Sequence, residues 1–253
     1  VAGKLAGIPL VLHEQNAIPG LTNKLLSKIA KKVLCAFPNT FASNVANVEV
    51  VGNPIRQELI ELGEHIKTPQ ADALRVLVVG GSLGAKVLND VMPAVVAHLC
   101  KYHSLTVWHQ VGKNNQASVK ANYQQLGQSD SVNVAEFIDD MDAAYRWADV
   151  VVCRSGALTV SELAAVGLPS ILVPYPHAVD DHQTVNASVL VDAGAGFLLP
   201  QTILNADNLA EKLQLFAENR QELAQMGLKA RGVAVLDATE RVADICASFA
   251  RKG

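Results

Sequence analysis

Asp149-Val-Val-Val-Cys-Arg154-Ser-Gly-Ala-Leu-Thr-Val-Ser-Glu162, running on through Leu163-Ala-Ala-Val-Gly167-Leu-Pro169, decides the fold. The β-branched run 150–152 reads as a buried strand. Arg154-Ser155-Gly156 breaks it, and Ser155 or Gly156 can cap a helix that opens at Ala157. That helix stops at Gly167, with Pro169 just beyond. A second apolar strand, Ser170 to Val173, ends at Pro174. Such a strand–turn–helix–strand unit leaves backbone N–H groups free at the positive end of a helix dipole, where an anion can sit. Thr159, Ser161 and Glu162 fall in the first turn and a half. A carboxylate there does not favour a phosphate by charge, but it can accept both hydroxyls of a ribose. The same pattern also fits a parallel-sheet unit with no ligand.

Outward from this unit, strands and helices keep alternating. Toward the C-terminus, Pro174 to Gln183 is a polar loop, capped by Asp181 into a helix ending at Gly194. A strand at 196–199 and helices near 205–218, 219–230 and 238–250 follow. Toward the N-terminus, Leu74 to Val79 is a buried strand entering Gly80-Gly81-Ser82-Leu83-Gly84, then a helix to about Cys100. That turn has neither the G-x-G-x-x-G order nor the Walker spacing. Its glycines permit close backbone approach, and Ser82 offers a hydroxyl. Strands at 105–110 and 132–137 flank a helix at 114–126. Asp139-Asp140 caps a helix at 141–148. Asp140-Met141-Asp142 has a spacing seen at some metal sites, but capping and the helix dipole explain it.

The first 56 residues read as a separate piece. A helix tail at 1–7 leads to a strand at 8–12 and the polar cluster His13-Glu14-Gln15-Asn16. A helix at 21–31 carries Lys24, Lys28 and Lys31. Short strands at 33–36 and 48–51 precede the kinked connector Gly52-Asn53-Pro54-Ile55-Arg56. Residues 57–73 read as a polar, irregular linker. This alternation implies an α/β fold with ligands at the carboxyl ends of parallel strands. Two helix N-termini face one ligand, which suits a diphosphate.

Composition narrows the function. Half of the 253 residues are hydrophobic but only 5% are aromatic, so the core is aliphatic. A net charge of −3 argues against a nucleic-acid partner. The four cysteines, Cys35, Cys100, Cys153 and Cys246, have no paired spacing, which fits reduced thiols in a cytoplasmic protein. No apolar run approaches a membrane span. The chain begins at Val1 inside a segment already in progress, so an earlier N-terminal portion is expected.

Taken in order, His13–Asn16, Gly52–Arg56, Gly80–Gly84, Glu136–Met141, Arg154–Glu162 and Asp181–Gln183 with Asn186 resemble the MurG family of peptidoglycan glycosyltransferases. Single motifs are weak signals; six in register are specific. The resemblance implies a GT-B fold, a pair of Rossmann-like parallel sheets with helices on both faces. It implies transfer of N-acetylglucosamine from UDP-GlcNAc to the MurNAc 4-hydroxyl of lipid I, giving lipid II, with inversion. On this reading 1–56 is a remnant of the N-terminal acceptor domain, 57–233 a complete C-terminal UDP-GlcNAc domain, and 234–253 a helix packing back on the first. Ile138 would read uracil and Met141 pack on the nucleoside. Glu162 would hold the ribose diol. Ser82 and the amides of Leu158 and Thr159, within the stretch 157–162 that includes Val160 and Ser161, would hold the diphosphate. Arg56 would add positive charge. Ala157, Gln183 and Asn16 would contact the sugar.

No cofactor and no metal are implied. The family's glycine-rich loop, with its histidine for the acceptor hydroxyl, is absent from this sequence, leaving His13 and Glu14 as candidates for the base. The whole protein would lie peripherally on the cytoplasmic face of the inner membrane, through parts of the N-terminal domain outside this chain. Two other readings fit less well: a donor-binding half that needs a separate acceptor-binding partner, and a UDP-GlcNAc 2-epimerase on the same fold. A nicotinamide oxidoreductase fails on the missing G-x-G-x-x-G.

Overall fold

The structure, a computed structural model, describes residues 2–64, 73–81 and 84–250. Helix α1 (Ala2–Leu5) leads into β1 (Val11–Glu14), α2 (Leu21–Leu26), β2 (Lys32–Cys35) and β3 (Val48–Val50). These three strands form a parallel sheet in the order β1-β2-β3. Helix α3 (Gln57–Leu62) follows. The second sheet alternates strand and helix: β4 (Leu74–Val79), α4 (Lys86–Leu99), β5 (Leu105–Gln110), α5 (Gln116–Gln125), β6 (Val132–Ala135), α6 (Met141–Trp147), β7 (Val150–Cys153), α7 (Ala157–Val166) and β8 (Ser170–Leu172). A 3₁₀ turn (Val179–Asp181), α8 (His182–Asp192), β9 (Gly196–Leu198), α9 (Ala206–Glu218), α10 (Arg220–Gly232) and α11 (Ala238–Ala250) complete it.

The six strands are parallel in the order β6-β5-β4-β7-β8-β9. The chain adds strands outward from β4 to one side, then returns and adds the rest to the other. That reversal, between β4 and β7, opens a crevice at the carboxyl ends of these two strands, where open α/β sheets bind ligands. Because strand side chains alternate between faces, Val76, Val78, Val150 and Val152 enter a core with α4, α5 and α9. Leu77, Val151 and Cys153 enter the opposite core with α3, α6, α7 and α8. All four residues of β7 are buried.

Two chain segments join the sheets. The first is the 52–56 connector. The second precedes α11, which returns to the first sheet: Arg241 Nη2 donates to Val50 O at 2.8 Å and Lys32 and Arg241 both pair with Glu49. The segments touch at Gly52. Its φ is +83°, and a Cβ there would lie 2.7 Å from Val235 Cβ, so neither conformation nor space admits a side chain.

Three expectations need correction. Within 57–73, residues 57–62 form a helix that buries Leu59, Ile60 and Leu62, while 65–72 lie outside the described residues. The helix expected over 21–31 ends at Leu26, where Ser27 Oγ donates to Lys24 O and competes with the backbone ladder. The first strand starts at Val11 rather than Ile8 and includes His13 and Glu14. Pro9, which has no N–H to give a sheet, precedes it.

Candidate functional site

The crevice is walled on one side by the turn after β4. Gly80 cannot carry a side chain, because a Cβ would lie 2.5 Å from Ala85 N. Gly84 has φ +75°, and a Cβ there would collide with Val111 O. Backbone therefore lines this wall. Ser82, the expected diphosphate contact, lies outside the described residues, as does Leu83.

The other wall is the start of α7. Gly156 is its N-cap, in extended conformation, and no side chain caps the helix. The amides of its first turn, Ala157, Leu158 and Thr159, have no acceptor within the helix and sit at the positive end of its dipole. Ser155 does not cap: it is fully buried. The 3.6-residue period sorts the rest of the stretch. Ala157, Val160, Leu163 and Ala164 face the core, while Leu158 is 46% exposed. Val160 accordingly turns its side chain to the core and not to the crevice. Its side chain is fully buried and its amide is bonded to Gly156 O at 2.9 Å. Ser161 is turned to a neighbour, its Oγ accepting from Asn53 Nδ2 at 3.1 Å.

Glu162 lies one turn beyond the open amides. Tyr145 donates its hydroxyl to Glu162 Oε2 at 3.0 Å, leaving Oε1 for a ligand. Burial pushes the Glu162 carboxyl up; the Tyr145 hydrogen bond and the Arg56 charge pull against it. Arg56 is not a free cation. Its Nη2 donates to Asp142 Oδ1 at 2.7 Å, and it stands 54% exposed. That pairing also accounts for one carboxylate of the Asp140-Met141-Asp142 spacing. The other, Asp140, accepts from Ala143 N at 2.9 Å as the α6 N-cap. Among the described residues no group of three His, Cys, Asp or Glu side chains is arranged to hold a metal ion. Ile138 is buried in the β6–α6 connection next to half-exposed Phe137, and Met141 is half-buried at the start of α6.

An open cleft of about 450 Å³ lies between the glycine turn and the 173–183 segment, lined by Gly80, Gly84, Arg154, Tyr175, Gln183 and Gln201 among others. Gln183, at the start of α8, accepts Tyr175 N–H through Oε1 at 2.9 Å. Arg154, which the sequence alone gives no role, dominates this corner. It donates to Val173 O at 3.1 Å, Pro174 O at 3.0 Å and Gln201 Oε1 at 2.7 Å, and its guanidinium lies 5.5 Å from the Tyr175 ring centre. Burial lowers its pKa. The available signal was its position, a cation directly after a buried strand at the sheet's carboxyl edge.

The first sheet reaches the same site through its loop after β1. Glu14 is buried and accepts from the amides of Asn16 and Gly20 and from the side chains of Asn16 and Asn23. Burial pushes its carboxyl up, but these bonds together hold it below the usual carboxylate range. A carboxylate so saturated is a loop organiser rather than a base. His13 Nε2 donates to Gly52 O at 2.9 Å and ties β1 to the connector, which leaves the lone pair of the ring on Nδ1. Asn16 Oδ1 accepts from Asn186 Nδ2 at 3.2 Å, and Asn186 Oδ1 accepts from Ala17 N at 2.8 Å. Asn186 also donates to Ser155 O at 3.3 Å and is fully buried. This one amide on α8 joins the Asn16 loop to the turn before α7. Nothing in its local sequence context marks it apart from the motif in which it sits.

The model of the glycosyltransferase family 28 C-terminal domain matches residues 75–245, and that of the glycosyltransferase family 28 N-terminal domain matches residues 1–35. Over all 253 residues the chain is 96% identical to the UDP-N-acetylglucosamine–N-acetylmuramyl-(pentapeptide) pyrophosphoryl-undecaprenol N-acetylglucosamine transferase of Shewanella frigidimarina, and it spans 69% of that protein. It is 77% identical over 252 residues to the protein of that name from Shewanella denitrificans, again covering 69% of it. The crystal structure of MurG from Acinetobacter baumannii superposes with a TM-score of 0.83 at 40% identity, covering 96% of this chain and 68% of that one.

Proposed function

The chain belongs to glycosyltransferase family 28, and on that premise we propose that it binds UDP-N-acetylglucosamine in the crevice between β4 and β7 for transfer of the sugar to an undecaprenyl-pyrophosphoryl N-acetylmuramyl-pentapeptide. The single observation that carries this reading is the start of α7. Uncapped first-turn amides stand one turn before a half-buried carboxylate with one oxygen unclaimed. The amides suit a diphosphate and the carboxylate a ribose diol. On the facing wall Gly80 and Gly84 are required by close packing of the turn against the backbone at Ala85 and Val111. Ile138 and Met141 then fall on the base side, and Ala157, Gln183 and Asn16 on the sugar side.

Residues 1–56 serve as part of the acceptor domain, 57–233 as the donor domain, and 234–253 as the helix that returns to the first. The membrane contact proposed for the acceptor domain has a local support in α2, where Leu21 and Leu25, one turn apart, are 72% and 57% exposed beside Lys24. Among the described residues no helix is long and apolar enough to cross a membrane. As the sugar–phosphate bond breaks its electron pair stays on UDP, and the α7 dipole and first-turn amides stabilise that added negative charge on the leaving diphosphate. Glu14 is taken up by its own loop and His13 is tied to Gly52 O through one ring nitrogen, so the base is assigned first to the family's N-terminal loop outside this chain, with His13 Nδ1 as the candidate within it.

Calorimetry of the chain with UDP-GlcNAc, UDP and NAD tests the reading. Binding of both uridine ligands, undiminished by a chelator and stronger than that of NAD, is expected. Glu162→Ala weakens UDP by about 1.5–3 kcal/mol, the worth of a hydrogen bond to a charged group, and weakens a 2′,3′-dideoxy analogue far less. Equal losses for the two ligands would remove the diol assignment.

A further inference from the structure

We propose that Arg154 is a positioning residue that sets the chemical sense in which Gln183 reads the ligand. The inference rests on the donor-site reading and deepens it. A backbone N–H can only pair with an acceptor, so the bond from Tyr175 N to Gln183 commits that side chain's oxygen. That bond takes one lone pair of Oε1 and fixes which way round the amide stands, so the Gln183 Nε2 hydrogens are the group set to donate to the ligand. Their partner is a hydroxyl or phosphoryl oxygen.

The bond that commits Gln183 is held in place by Arg154. Its planar fork takes the two successive carbonyls Val173 O and Pro174 O with one nitrogen and Gln201 Oε1 with the other. The Tyr175 ring packs within 5.5 Å of the guanidinium. Residues 173–175 thus lie along Arg154 as along a rail, and the Tyr175 amide is aimed at α8 as a result. Gln201 anchors the far nitrogen from the loop after β9. A lysine carries the same charge but cannot reproduce a fork with three acceptors. In the proposed complex the oxygen that Gln183 reads belongs to the sugar, so the effect of Arg154 falls on the sugar and spares the nucleotide.

Binding of UDP-GlcNAc and of UDP to Arg154→Ala, Arg154→Lys, Gln183→Ala and the double variant Arg154→Ala/Gln183→Ala tests this. Arg154→Ala raises the Kd of UDP-GlcNAc about five- to tenfold, the worth of one hydrogen bond. It leaves the Kd of UDP within about twofold, which also shows that the variant is folded. Arg154→Lys shows the same selectivity with a smaller loss. Because both residues act through one contact, the double variant is no weaker than Gln183→Ala alone. Additive losses, full rescue by lysine, or equal losses for UDP and UDP-GlcNAc would each overturn the proposal. A wild-type chain that binds neither ligand overturns the donor-site reading as well, whereas variants that fail in those ways while the wild type binds both overturn the clamp alone.

Discussion

The two sheets are built to different standards. In the second, β7 is buried along its whole length and sits between two aliphatic cores, one on each face. In the first, β1 and β3 are mostly half-buried, and Leu5, Ile8, Leu21, Leu25 and Val50 stand exposed. The larger sheet carries its own core. Of its buried residues the smaller one lends only Ala36 and Phe37 to the second sheet's core, and it is joined to its neighbour as well by polar ties: Asn186 to Ala17 and Asn16, Asn53 to Ser161, and Arg241 to Val50. Apolar burial scales with area and is hard to disturb at one point, while a polar tie fails when one partner is lost. The difference makes the second sheet the scaffold and the first a docked component whose attachment is chemically adjustable.

Four measurements break or sharpen this contrast. The largest effect is expected at the foot of the second sheet, where Asp149, 3% exposed, holds both Arg75 and Arg220. Asp149→Ala leaves two cations facing each other and costs about 3–5 kcal/mol, as when a buried ion pair loses one partner. Both tryptophans, Trp108 and Trp147, lie in this region, so urea unfolding followed by their fluorescence reads it alone. An unchanged midpoint would deny the triad any structural weight.

Acid should act on the same sheet. His109 is fully buried beside Tyr123, and burial lowers its pKa to about 3. The unfolded chain binds its proton near the ordinary pKa of about 6.5. Stability from this group is therefore complete above pH 6.5 and falls as the pH drops toward 3, by up to about 1.4 kcal/mol per unit. Comparing urea midpoints at several pH values with those of His109→Gln checks it; parallel slopes in the two proteins would assign the acid sensitivity elsewhere.

Asn186→Ala is the next test. It orphans Ala17 N–H and Ser155 C=O together, costing about 1–3 kcal/mol, and the cost should fall on attachment of the first sheet. Cys35, 1% exposed in β2, and Cys153, 1% exposed in β7, report the two regions separately. Thiol labelling of Cys35 should accelerate while that of Cys153 and the tryptophan midpoint hardly move. If both cysteines accelerate together, the sheets form one cooperative unit and the contrast dissolves. The smallest effect is at Lys24–Asp180, which spans the same gap at 3.3 Å but is about half exposed on both sides. Lys24→Ala should shift Cys35 labelling by no more than about 0.2–1 kcal/mol, and less in salt.

The sequence made the second sheet readable because its strands are short apolar runs, α6 opens on the Asp140 cap and α7 stops at Gly167. The helix expected near 238–250 is present as α11, from Ala238 to the last described residue. The sequence was least readable where short segments borrow their order from elsewhere. Leu59, Ile60 and Leu62 fill one face of a six-residue helix that exists because α6 and α7 lie against it, and a local pattern holds no record of that. Val160, three residues after Ala157, has its side chain on the buried side of the helix. The strand order, and with it the position of the crevice, depends on pairings between distant residues. Arg154, Tyr175 and Gln201 converge from three separate loops, so their joint role exists only after folding.

The reversal between β4 and β7 also bears on time. Val76 meets Val107 on one side and Val150 on the other, and the second partner is more than twice as far along the chain. Closing the longer loop costs more entropy and delays that pairing. The seam is therefore expected to form late and to part early, and a ligand that touches both the glycine turn and the first turn of α7 bridges it. Such a bridge is missing from the folding transition state, so a bound nucleotide sugar should slow unfolding while hardly altering the folding rate. In practice, occupancy would lengthen the protein's lifetime under proteolysis or heat, and within the second sheet a vacant crevice would be the first place to part.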